Sequence, residues 1–123
     1  MFWRMERALE DRFPFFDRSR LVHGRCAHGD GWYDILEELF TKLKALEPQN
    51  FYISQVEEDA GLLKVYVIVE GTEREVHAEG MVLARGAMRK SAHICELCGN
   101  PGTWLSDGHP RTTRCSPCRN AQK

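Results

Sequence analysis

The 123-residue sequence predicts an α+β fold in which helices pack on an antiparallel β-hairpin, followed by a small cysteine-rich C-terminal module. Three observations predict it. Apolar residues recur at helical spacing from Trp32 to Leu46, two runs flanking residue 60 alternate as strands do, and four of the five cysteines fall after Ser91. Hydrophobic residues make up 42% of the chain and aromatics 10%, enough to build a core, which excludes wholesale disorder.

Phe2, Met5, Leu9 and Phe13 place one apolar side chain per helical turn, and Pro14 closes that helix because the residue before a proline is pushed out of the α region. The loop from Phe15 to Gly31 holds Gly24, Gly29 and Gly31, with Asp30 positioned to cap the next helix. In that second helix Trp32, Ile35, Leu36, Leu39, Phe40, Leu43 and Leu46 form an unbroken core stripe. Asp34, Glu37, Glu38, Lys42 and Lys44 fall elsewhere on the wheel, and Pro48 ends it.

Phe51–Glu57 and Leu62–Val69 read as strands. In the second, Leu63, Val65, Val67 and Val69 share a face, and the short link Glu58-Asp59-Ala60-Gly61 implies a hairpin. Gly71-Thr72 then serves as turn and cap. A third helix spans Glu73 to Lys90, with Val76, Leu83 and Ala87 on one stripe and Met81 and Met88 beside it. Gly80 and Gly86 each weaken that helix by up to about 1 kcal/mol relative to alanine. Residues 1–90 are thus expected to form a small α+β domain, and residues 91–123 a separate module.

That module contains three of the five prolines and little apolar content, too little to fold without a covalent or metal staple. Its staple is legible. Cys95-x2-Cys98 and Cys115-x2-Cys118 are separated by sixteen residues, inside the spacing of structural zinc sites. Two residues between thiolates let a tight knuckle turn aim both sulfurs at one ion. Two such knuckles joined by a hairpin complete a tetrahedron with Zn–S distances of ~2.3 Å. The expected cofactor is a structural Zn²⁺ on Cys95, Cys98, Cys115 and Cys118 in a zinc-ribbon-like module. Iron in place of zinc would use the same ligands, but nothing in the sequence suggests electron transfer, and a reducing compartment disfavours two disulfides. His93 and His109 lie near enough to replace a thiolate and are read instead as surface histidines.

Cys26, with His23 and His28, offers a second constellation. It lacks a carboxylate orienter or any nucleophile motif, so Cys26 is read as a packing cysteine. No P-loop, dinucleotide fingerprint or catalytic dyad is present, and the chain is read as a non-enzyme.

The stretches "HGDGWYDILEELFTKL", "GLLKVYV" and "ICELCGNPG…RTTRC" resemble those of a family of small phage- and prophage-encoded proteins of unassigned function. The resemblance is carried by Gly29, Asp30, Gly31 and Trp32; by Gly61 to Tyr66; and by Cys95, Cys98, Gly99, Pro101, Gly102 and Cys115. It covers most of the chain from about residue 13. This chain has Cys118 where the family often has histidine, and Asp59-Ala60 where the family tends to be basic and aromatic. The resemblance implies phage ancestry and a zinc-bearing accessory protein, and it implies no reaction.

Charge divides the chain. Residues 1–84 hold ten Lys/Arg against sixteen Asp/Glu, a balance of −6. Residues 85–123 hold seven against two, a balance of +5, which a tetrathiolate zinc ion reduces to about +3. Without catalytic apparatus, the expectation is an inhibitor of a host defence complex, such as a CRISPR surveillance assembly, that acts by protein–protein contact. The acidic turn Glu57, Glu58 and Asp59 and the module's Arg111, Arg114, Arg119 and Trp104 are the candidate partner contacts. The alternative is a nucleic-acid-binding module that uses the same arginines, with Trp104 stacking on a base. The longest charge-free apolar stretch, Val65–Val69, is far short of the ~20 residues of a membrane span. The charged N-terminus has no signal-peptide apolar region, so the expected location is the cytoplasm of a bacterial host.

Overall fold

The computed structural model describes residues 1–46, 51–70, 74–108 and 110–121. The fold is α+β: α1 (Trp3–Arg12), α2 (Tyr33–Ala45), β1 (Phe51–Asp59), β2 (Leu62–Val69), α3 (Arg74–Ser91), β3 (Thr103–Leu105), β4 (Thr112–Arg114) and α4 (Ser116–Asn120). The strands form two separate antiparallel hairpins, β1–β2 and β3–β4.

Helix α1 stops where expected: Phe13 is extended (φ −127°, ψ 100°) ahead of Pro14. The stripe of α2 is buried as read, with Ile35, Leu36, Leu39, Phe40 and Leu43 all inside. Trp32 is fully buried in the 3₁₀ turn Asp30–Trp32 that precedes α2. Asp30 does not cap that turn. Its Oδ1 accepts the Phe2 N–H at 2.7 Å, tying the start of α1 to the start of α2. Pro48, read as helix stop, Gly71 and Thr72, read as turn and cap, and Glu73, read as the start of the third helix, lie outside the described residues.

β1 runs two residues longer than the pattern suggested, β2 has the span expected, and the strands meet at Asp59 and Leu62, leaving a two-residue turn. Ala60 (φ +55°) and Gly61 (φ +85°) are both left-handed, the geometry of a type I′ turn, which matches the twist of the flanking strands. A bulge interrupts β1 between Ile53 and Gln55. It has a legible cause: Phe51 and Ile53 are apolar at odd positions and Val56 at an even one, so one extra residue is needed to keep all three facing the core. The loop before α2 covers the outer edge of β1. Ile53 N–H donates to Phe15 O, Val22 N–H to Ser54 O, Ala27 N–H to Val56 O and Glu58 N–H to Ala27 O.

Helix α3 lies across β2 and beside α2, with Ala87 buried and Leu83 and Ala84 against the core. An aromatic cluster fills the centre, where Phe40 meets Phe13, Phe15 and Phe16 at ring centroid distances of 5.6, 5.7 and 5.1 Å. Such pairs contribute roughly 0.5–1.5 kcal/mol each beyond simple burial.

Ala60 is the one non-glycine residue held at positive φ among those described. Ala60→Gly should therefore raise stability by roughly 0.5–1 kcal/mol in urea unfolding. Gly61→Ala should lower it by more, because a β-carbon there meets the Thr112 backbone at 2.9 Å.

Candidate metal centre

The first cysteine pair sits on a tight loop that follows α3. Gly102 N–H donates to His93 O (2.9 Å), Cys95 N–H to Asn100 O (2.7 Å) and Gly99 N–H to Cys95 O (3.0 Å). Gly99, at φ +82°, supplies the left-handed residue that closes the knuckle. The hairpin β3–β4 then carries the chain to the second pair. There Cys115 is the N-cap of α4 and Cys118 lies in its first turn, with Pro117 at a position where no amide partner is needed. The second pair thus rides a helix start, where an i, i+3 spacing puts both sulfurs on one side, in place of the second knuckle expected from the spacing.

The four sulfurs converge. All lie within 4.8 Å of one another, and Cys98 Sγ and Cys115 Sγ are 3.5 Å apart, well beyond a disulfide's ~2.05 Å. A tetrahedral ion with ~2.3 Å metal–sulfur bonds has sulfur–sulfur edges of ~3.8 Å, so the set fits a metal ion. Cys95 and Cys115 are buried, Cys118 is half-buried and Cys98 is exposed. The thiols pull apart electrostatically. Burial opposes ionisation of Cys95, but the N–H groups of Cys115, Cys98 and Leu97 outweigh it and bring the thiol down to about 6. Hydrogen bonding to Cys115 and Cys98 pushes Cys118 up to about 12. A cation is what lets all four exist as thiolates together.

The knuckle is seated directly on the start of α2. A β-carbon on Gly31 would lie 2.1 Å from Cys95 O and 2.6 Å from Gly99 N, and one on Gly29 would lie 2.2 Å from Glu96 O. Gly31 N–H donates to Glu96 O at 2.9 Å, and the Trp32 indole to Ile94 O at 2.9 Å. The β3–β4 hairpin is seated on the β1–β2 turn in the same way. Thr113 Oγ1 donates to Gly61 O (2.6 Å) and the Trp104 indole to Ala60 O (2.9 Å). The module therefore packs on the body at two glycine-bearing turns.

The other candidate residues are distributed around this junction. Arg114 is paired with Glu96 (Nη2–Oε1 3.1 Å), whose carboxyl pKa burial raises and Arg114 partly restores. Arg119 donates to the Thr103 and Arg114 carbonyls. Arg111 is exposed, and Trp104 is 37% exposed. Glu57 lies 3.5 Å from His23, Glu58 accepts the Gly61 N–H, and Asp59 pairs with Lys64. His93 is exposed, away from the sulfur cluster, and His109 lies outside the described residues.

Cys26 is fully buried, and that burial, followed by the nearby charge of Glu6, pushes its thiol up to about 12, unsuited to a thiolate nucleophile. Its backbone N–H donates to the buried Glu6 carboxylate at 3.2 Å. His28 shares a bond of 2.7 Å between Nδ1 and Gly29 O, while its buried Nε2 has no partner among the described residues. The seats at Gly29, Gly31 and Gly61 were missed by sequence reasoning, as were the roles of Glu6 and His28. The signal available was the pair of glycines bracketing Asp30. No family model, curated protein or solved structure matches the chain, so the resemblance to phage-encoded proteins rests on its motifs alone.

Gly31→Ala should unseat the knuckle and weaken metal retention by about tenfold or more, as loss of a supporting residue does at a metal site, with helicity retained; chelator competition and circular dichroism read both. His28 has its pKa lowered to about 4, chiefly by burial, against an ordinary 6.5. Between those values the unfolded chain binds more protons than the folded one, so stability should fall as pH drops from 6.5 to 4, by up to about 3 kcal/mol. His28→Leu should flatten that part of the pH profile in denaturant titrations.

Proposed function

We propose that Cys95, Cys98, Cys115 and Cys118 hold one structural Zn²⁺, and that the chain is a phage-type, non-catalytic accessory protein. It would work by protein–protein binding, as an inhibitor of a host defence complex. The observation that carries this reading is the convergence of four sulfurs: a tetrathiolate ion has no open position at which to activate water or substrate, so its role is to hold shape. What it holds is the module against the body, which presents one continuous surface to a partner. The acidic balance of residues 1–84 suits a basic, nucleic-acid-binding groove on such a complex.

The inward use of basic residues favours a protein partner over nucleic acid. Arg114 is engaged with Glu96 and Arg119 with backbone carbonyls, which leaves Arg111 as the exposed arginine of the module. A phosphate-tracking surface needs several cations free at once.

Elemental analysis should find one zinc per chain, lost in Cys98→Ser, while the helical signal of the body persists. Retention of stoichiometric zinc in that variant would remove the four-cysteine assignment. Affinity purification from host cells should recover a stoichiometric protein partner, and recovering none would overturn the interaction reading. Salt-sensitive duplex or single-strand binding at about 50 mM salt would move the function to nucleic acid.

A further inference from the structure

Helix α3 carries an apolar surface that the other described residues leave open. Val82 is 64% exposed, and beside it a trough of about 420 Å³ runs between α3 and the end of α2, floored by Leu46, Ala78 and Leu83. Gly86 adjoins this surface. A β-carbon there would meet nothing within 4 Å, so packing among the described residues does not account for a glycine that costs the helix up to about 1 kcal/mol.

The charges around Val82 obey a simple rule. Seven residues before it is Glu75 and seven after it Arg89; three before it is Glu79 and three after it Arg85; four before and after are the small Ala78 and Gly86. These offsets place all of them on the outward face of α3. Both glutamates and both arginines are exposed, and none of the four takes part in an ion pair within the chain among the described residues. The helix dipole accounts for an acid in the first turn and a base in the last, but not for Glu79 and Arg85 in the interior.

We propose that α3 is the seam of a homodimer, in which two copies pack α3 against α3 antiparallel about a twofold axis at Val82. In such a pair, each residue lies level with the one equally far on the other side of Val82 in the second copy. Glu75 then faces Arg89, Glu79 comes within side-chain reach of Arg85, and Val82 meets Val82. Ala78 and Gly86 fall at the same level, which lets the axes approach to the near end of the usual ~8–10 Å range. Any other partner would need this charge order by coincidence, whereas a second copy supplies it automatically.

Sedimentation equilibrium of the full, metal-loaded chain over roughly 1 to 100 µM tests the dimer. The expected mass is twice the 14.2 kDa of the chain. Val82→Glu should yield a monomer with an unchanged circular dichroism spectrum. Arg85→Glu, which sets a second acid against Glu79 of the other copy, should weaken association by about tenfold or more, and the double variant Glu79→Arg/Arg85→Glu should restore it. A monomer at every concentration overturns the proposal. So does a dimer indifferent to Val82→Glu, or a double variant no tighter than Arg85→Glu. A monomer that loses a host protein on Val82→Glu would assign the face to that protein instead.

Discussion

The carbonyl oxygens of Cys95 and Glu96 rest on the α-carbons of Gly31 and Gly29, at a distance that no side chain could share. That backbone contact is the constraint on which the rest depends. It fixes where the knuckle sits, and through the Gly31–Glu96 hydrogen bond it links the cysteine cluster to the first turn before α2. The same turn buries Trp32 and receives the Phe2 N–H on Asp30. Metal loop, main core helix and amino-terminal helix therefore meet at four consecutive residues.

The module has almost no apolar core of its own, and what it buries is largely polar, with Glu96 Oε2 and Arg119 Nε left without a partner among the described residues. Glu96 is buried and pairs with the half-buried Arg114, and removing charges from water is stabilising only when their geometry and neighbouring bonds are good. Thr113 is fully buried and bonded to Gly61 O across the junction. The cysteine cluster and the docking contacts support each other: an ion held by the four sulfurs would close the loop that presents Cys95 O to Gly31, and the seat restrains the loop that carries Cys95.

The elements built from local periodicity were legible. The stripe of α2, the alternation of β2 and the two cysteine pairs each follow from spacing within a few residues. The bulge at Ser54 is encoded as the change of parity from Ile53 to Val56, and the helix start at the second cysteine pair by Ser116-Pro117, but both signals were passed over in favour of a regular strand and a second knuckle. What was not legible is pairing between distant segments. Nothing in the Gly-Asp-Gly run specifies that residues 95–99 will press on it, and nothing local to Arg114 or Arg119 reveals that both turn inward. A glycine needed for close approach looks the same in sequence as one needed for a turn.

The two indoles at the junction give the protein a built-in optical gauge. Trp32 and Trp104 are two of its three tryptophans, and each donates its N–H across the boundary between body and module, one to Ile94 O and the other to Ala60 O. Trp32 sits in a dry environment, whereas Trp104 and Trp3 are partly wet. Undocking would wet Trp32 and free both indole N–H groups together. Intrinsic fluorescence thus follows the seating of the module without any label.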